Sequence, residues 1–219
     1  LKSLSLIDFG VFAGRHDIDL CPRVKYGTKR PIVLFGGLNG AGKTTTLTAV
    51  RLALYGRQSM GRSIPKQAYH QQLLDHIHKP RKNLINPTAA SIELSFTYGK
   101  HGTVNEFKIV RSWEETGKNV VEHLEIFKDE IPLKGLSSEQ LQSFLNELIP
   151  IGVADLFFFD GEKIADLAED EANEALADAI KRLLGLDIVD RLRADLGIYL
   201  RENTQTKLPK DIASELKSL

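Results

Sequence analysis

The stretch that constrains this chain most is Gly37-Leu38-Asn39-Gly40-Ala41-Gly42-Lys43-Thr44, which fits the pattern G-x-x-x-x-G-K-[ST]. A short apolar run, Ile32-Val33-Leu34-Phe35, precedes it, and a segment bearing Leu47, Val50, Leu52, Ala53 and Leu54 follows. The pattern reads as a buried strand, a glycine-rich loop and a helix with one apolar side, the context the motif requires. The residue types give the chemistry. Glycines let the backbone bend until successive N–H groups converge on phosphate oxygens, and a helix N-terminus adds partial positive charge. Gly37, Asn39, Gly40, Ala41, Gly42, Lys43, Thr44 and Thr45 are the candidate phosphate-binding residues. Lys43 is expected at the outer phosphates and the Thr44 hydroxyl on Mg²⁺. The bland reading, a glycine-rich turn with an incidental lysine, is disfavoured by the flanking elements.

An apolar fraction of 42% over 219 residues is enough for a proper core. Lys+Arg and Asp+Glu are 29 each, so net charge does not advertise a polyanionic partner, although balance over a chain hides asymmetry over its surface. The single cysteine, Cys21, excludes an internal disulfide and a cysteine-rich zinc site. No run of 18 apolar residues and no signal peptide is seen, which leads to the expectation of a soluble, cytoplasmic protein without a membrane partner. The chain starts at Leu1 rather than methionine, and so reads as a piece of a longer protein.

Residues 2–8 alternate as a half-buried strand does, with 16–20 as the hairpin partner and 9–15 as a turn holding two glycines. The segment Cys21–Arg30, with Arg23, Lys25, Lys29 and Arg30, is expected as an exposed loop, and 56–63 as a glycine-bearing loop. Residues 65–79 carry Ala68, Leu73, Leu74 and Ile77 at roughly helical spacing. The cationic stretch 76–82, with His76 and His78, lacks an accompanying cysteine or carboxylate cluster and reads as a solvated basic loop rather than a metal or phosphate site. Three strand-like runs, 90–98, 104–113 and 120–127, suggest an antiparallel meander in which Phe107 and Trp113 are packing residues. Ser137-Ser138-Glu139-Gln140 has capping-box character and opens a helix through Leu148, stopped at Pro150. From Glu169 to about Asn203 the pattern is helical, with Val189, Leu192, Leu196, Tyr199 and Asn203 forming a heptad-like stripe. Pro209 interrupts, and 211–219 begins another short helix.

Phosphoryl transfer also needs a carboxylate for Mg²⁺ and a group to orient water. The run Leu156 to Asp160, four apolar residues ending in an acid, imitates a Walker B strand, with Glu162 as a base; Leu136-Ser137-Ser138-Glu139-Gln140 imitates the signature loop of ABC-type ATPases. Together they would make a compact, complete domain. The imitation fails on chemistry: no glycine follows the serine to let backbone N–H groups approach a γ-phosphate, and Gly161 separates the two acids.

GGLNGAGKTT, then FFFDGEKI about 120 residues later, then AIKRLLGLDIVDRLRADL resembles DndD, the SMC-like ATPase family of bacterial DNA phosphorothioation (DNA sulfur modification) systems. The resemblance covers residues 1 to about 203, and its FFFDGEKI joined to the LLGLD helix is more specific than the P-loop. More broadly the chain is similar to SMC proteins and the double-strand-break-repair ATPases. The resemblance implies an α/β fold of the P-loop NTPase kind: the N-terminal lobe of an ABC/SMC-type ATPase head, with an antiparallel subsheet and the start of a coiled-coil arm. Residues 1–185 would be the lobe and 186–219 the helical extension. It implies ATP and Mg²⁺ as cofactors, and Asp160 in the place of the Q-loop glutamine, beside Mg²⁺ and the attacking water, with an added charge. At the first turn Asp8-Phe9 is followed by Gly10 where the repair ATPases carry a basic residue. Implied partners are a C-terminal lobe of the same protein, a second copy on ATP binding, other DNA sulfur modification proteins, and DNA for the assembled complex. ATP hydrolysis would need the second lobe. Alternatives from other classes are a self-contained P-loop kinase or nucleotidyl-transfer enzyme using Asp160 and Glu162, and a DNA-binding module with a vestigial P-loop.

Overall fold

Alternation of apolar and polar residues organises the first two-thirds of the chain into antiparallel strands. A computed structural model describes residues 1–30, 32–61, 64–80, 86–100, 102–117 and 119–151, together with 192, 193, 196, 197 and 199. The chain divides into two compact units, Leu1–Ala154 and Asp155–Leu219. In the first unit β1 (Ser3–Phe9) and β2 (Phe12–Asp19) form a hairpin, and β5 (Ala89–Lys100), β6 (Thr103–Thr116) and β7 (Asn119–Lys128) form the expected meander. With the two-residue β8 (Ile131–Pro132) they make one antiparallel sheet in the order β2-β1-β5-β6-β7-β8. A separate two-stranded ribbon, β3 (Arg23–Lys25) and β4 (Thr28–Arg30), stands where an exposed loop was expected.

One face of the sheet is apolar. Leu4 and Leu6 of β1, Ile92, Leu94 and Phe96 of β5, and Phe107, Ile109 and Trp113 of β6 are all buried there, so Phe107 and Trp113 are packing residues as read. The helices lie on that face: α1 (Lys43–Tyr55) against β5 and β6, α2 (Lys66–Asp75) against β6 and β7, and α3 (Ser138–Leu148) against α1 and β7. The other face is polar, where Glu93 of β5 pairs with Arg15 of β2 at 3.0 Å and Lys108 of β6 at 2.9 Å. The Ser137 hydroxyl accepts from the Gln140 N–H at 3.3 Å while Gln140 Oε1 accepts from the Ser137 N–H at 2.8 Å, a complete capping box. The segment that imitates a signature loop is thus the start of α3.

Several expectations are corrected. The run Ile32–Phe35 is not a strand: it pairs with nothing among the described residues, and Ile32, Leu34 and Phe35 are 82%, 90% and 46% exposed. A buried strand needs neighbours at its edges and cover on its faces, and all six strands of the sheet belong to other segments. The first turn is shorter than 9–15, because β2 already begins at Phe12. The 56–63 segment opens with a 3₁₀ turn over Gly56–Met60. The 65–79 helix ends at Asp75, since Ile77 leaves it to bridge Phe9 of β1. In that helix Tyr69, not Ala68, is the buried residue beside Leu73. Leu47 is only half-buried on α1, whereas Val50, Leu52, Ala53 and Leu54 are buried. Of the 189–203 stripe, Leu192, Leu196 and Tyr199 are helical and exposed. Val189, Asn203, Pro209, the 211–219 helix and the Leu156–Lys163 stretch lie outside the described residues. No helix among the described residues is long and apolar enough to cross a membrane.

Candidate functional site

The phosphate-loop candidates converge at the start of α1. Gly40 and Gly42 take φ of 81° and 95°, the left-handed region that side chains disfavour, so both glycines are needed for the path the loop follows. The Ala41 N–H donates to the Leu38 carbonyl at 3.1 Å, and α1 starts with the Thr46 N–H donating to Gly42 at 2.8 Å. Gly42 is the N-cap, no side chain caps the helix, and its first turn holds no acid. The leading N–H groups of a helix need acceptors, and here neither a cap nor a carboxylate competes with a phosphate for them. Lys43 and Thr44 are exposed at this end and Thr45 is half-buried. The Lys43 ammonium donates to the carbonyls of Gly37 at 2.7 Å and Leu38 at 3.0 Å, both within the loop it guards.

The loop is braced by a contact that sequence reading missed. A Cβ on Gly42 would stand 2.7 Å from Phe12 Cζ and 2.8 Å from Val11 Cγ2, and one on Gly10 would stand 2.7 Å from Thr45 Cγ2. The β1–β2 turn therefore lies directly against the phosphate loop. That turn is itself tied down: the Gly10 N–H donates to the His76 carbonyl at 2.7 Å and the His78 N–H to the Asp8 carbonyl at 2.8 Å. His78 Nδ1 sits 2.8 Å from the Gly10 carbonyl, and His76 Nδ1 2.7 Å from that of Gln72. Both histidines thus engage backbone carbonyls through Nδ1, and no cluster of three or more His, Cys, Asp or Glu suited to a metal ion occurs among the described residues.

The far end of α1 is held as firmly. Arg111 occupies a core position of β6, 3% exposed, between Ile109 and Trp113. Its guanidinium donates to Glu122 Oε1, to Gln142 Oε1 at 2.7 Å, and reaches the Ala53 carbonyl at 3.4 Å. Gln142 Nε2 donates to the Leu54 carbonyl at 2.9 Å, and the Tyr69 hydroxyl donates to Glu122 at 2.7 Å. Two carbonyls at the C-terminal end of α1 thus receive donors, one of them from a cation placed where the helix dipole favours it. Burial, and after it the charge of Glu122, pushes the Tyr69 hydroxyl well above the usual phenol range, so it stays a donor. The sequence signal for this network was legible in principle: an arginine in phase with Phe107, Ile109 and Trp113.

A phosphate group fits this loop on the evidence of its uncapped, acid-free helix start, and Thr44 would offer Mg²⁺ a hydroxyl. The candidate second ligand, Asp160, and its neighbour Glu162 lie outside the described residues. A family model described as AAA domain matches residues 3–219, nearly the whole chain. The chain belongs to the AAA domain family. No curated protein matches it. AAA domains of this SMC-like group are P-loop ATPases that generally bind ATP with Mg²⁺.

Proposed function

We infer that this AAA domain is the ATP-binding N-terminal half of a DndD-type, SMC-like ATPase head that supports DNA phosphorothioate modification. The observation that carries ATP binding is the glycine cradle of residues 37–42 at the uncapped, acid-free start of α1. The narrower assignment rests on the FFFDGEKI stretch followed by the LLGLD segment. In this reading Lys43 neutralises the outer phosphates, Thr44 and Asp160 serve Mg²⁺, and residues from 186 onward lead into a coiled-coil arm. Exposure of the apolar Ile32–Phe35 run beside the loop supports a second, C-terminal lobe that supplies strands to cover it. Hydrolysis then awaits that lobe and an ATP-driven dimer, which acts in the cytoplasm with DNA and the other sulfur modification proteins.

One substitution tests both levels. Lys43→Ala deletes the charge partner of the phosphates and leaves the loop backbone intact, so calorimetric titration with ATP and Mg²⁺ should show affinity lower by roughly 10- to 100-fold. The same allele in the host should lower phosphorothioate-linked dinucleotides in its DNA, measured by mass spectrometry after digestion. Unchanged ATP affinity overturns the site. Lost affinity with unchanged phosphorothioate content overturns only the DndD-type assignment.

A further inference from the structure

Zero net charge conceals a sharp segregation. Between Asp19 and Asp75 the sequence contains no aspartate or glutamate, while Arg23, Lys25, Lys29, Arg30, Lys43, Arg51, Arg57, Arg62 and Lys66 all fall there. Four of these nine cations are packed into the eight residues of the β3–β4 ribbon. Its register sets Arg23 directly opposite Arg30, with Val24 opposite Lys29 and Lys25 opposite Thr28. Like charges facing across a ladder are destabilising, and a two-stranded ribbon is marginal on its own. Arg23 and Arg30 are exposed, and neither forms an ion pair among the described residues. Both line an open cleft of about 420 Å³ with Asp19 and the apolar Val24, Ile32, Val33 and Leu34. The Asp19 carboxylate there is engaged by the Cys21 N–H at 2.9 Å.

We propose that the β3–β4 ribbon is a docking surface for the phosphate backbone of duplex DNA. A ribbon with an arginine–arginine cross-strand pair gains stability from an anion that lies along it and neutralises both. Arg23 and Arg30 are two cations brought together from two strands, and a polyanion offers each its own phosphate where a single small anion offers one charge to both. Contacts to phosphates carry no base information, so the contact is independent of DNA sequence. The choice of DNA over other polyanions rests on the proposed function; the cationic ribbon does not.

The test is fluorescence anisotropy of a labelled 30-base-pair duplex titrated with the 219-residue chain at several KCl concentrations. Each neutralised phosphate contributes about 0.9 to the slope of log affinity against log salt, so Arg23→Gln with Arg30→Gln should make it shallower by about 2. ATP affinity of this variant should stay at the wild-type value and certify the fold. Lys43→Ala should leave the DNA slope unchanged, which separates this surface from the nucleotide site. Wild-type chain without salt-dependent DNA binding, or a ribbon variant with the wild-type slope, would overturn the proposal. Polyglutamate that displaces the duplex at equal charge concentration would overturn it in favour of an acidic protein partner.

Discussion

Gly40 and Gly42 both carry positive φ, yet their surroundings differ, and that difference has consequences. Nothing lies within 4 Å of a Cβ built on Gly40, whereas one on Gly42 meets Phe12 and Val11 below 3 Å. Gly40→Ala therefore costs the left-handed backbone term alone, about 1 kcal/mol. Gly42→Ala costs that term and also forces the β1–β2 turn away from the loop. In urea unfolding Gly42→Ala should be the more destabilised of the two by at least about 1 kcal/mol, with the larger loss of ATP affinity. Phe12→Ala placed in the Gly42→Ala background should recover part of the loss, because it removes the nearer clash. Equal effects of the two glycine substitutions would mean that the brace does not constrain the loop. The motif made these glycines legible as backbone devices. It was silent on Phe12, which sits thirty residues upstream and meets Gly42 only through tertiary structure.

At the scale of elements, α1 is clamped at both ends, and the C-terminal clamp is electrostatic. Arg111 and Glu122 face the core from β6 and β7, with Gln142 of α3 closing the set. Removing one partner of such a pair strands the other. Arg111→Met should destabilise the domain by about 3 kcal/mol, and adding Glu122→Leu should restore part of that, since no carboxylate is then left unpaired. Urea denaturation of the two single variants and the double measures the coupling. Additive losses would show that Arg111 acts by packing alone. Most of the elements were legible because their signals are local: alternation for β1, β5, β6 and β7, and the Ser137–Gln140 box for α3. What escaped depends on distant partners. Arg111 follows the core phase of β6 but has a charge, and only the fold brings Glu122 and the end of α1 to it. The β3–β4 ribbon has no apolar alternation to announce it. Ile32–Phe35 reads as a strand by composition, but a strand exists only where another offers an edge.

For the whole molecule, that bare run is the decisive feature. Four consecutive apolar residues next to the phosphate loop are exposed to water, two of them by more than four-fifths. Backbone and side chains there can gain a ladder and an apolar cover only from a strand contributed by some other segment. P-loop catalysis depends on a full set of charges around the γ-phosphate, and loss of one major contributor costs about three to five orders of magnitude in rate. Lys43 and Thr44 are the members of that set placed at the loop, and neither is a base or a second cation. The chain alone should therefore bind ATP yet hydrolyse it slowly, at a rate that does not recover as its concentration rises. Mixed with the C-terminal lobe that the proposed function calls for, it should gain turnover, and amide hydrogens of residues 32–35 should become protected from exchange. In the proposed function the two readouts are linked, because the same docking would both pair the run and complete the charges. Turnover without protection would place the missing groups elsewhere. Robust turnover by the chain alone would return Asp160 and Glu162 to the roles of metal ligand and base in a self-contained enzyme.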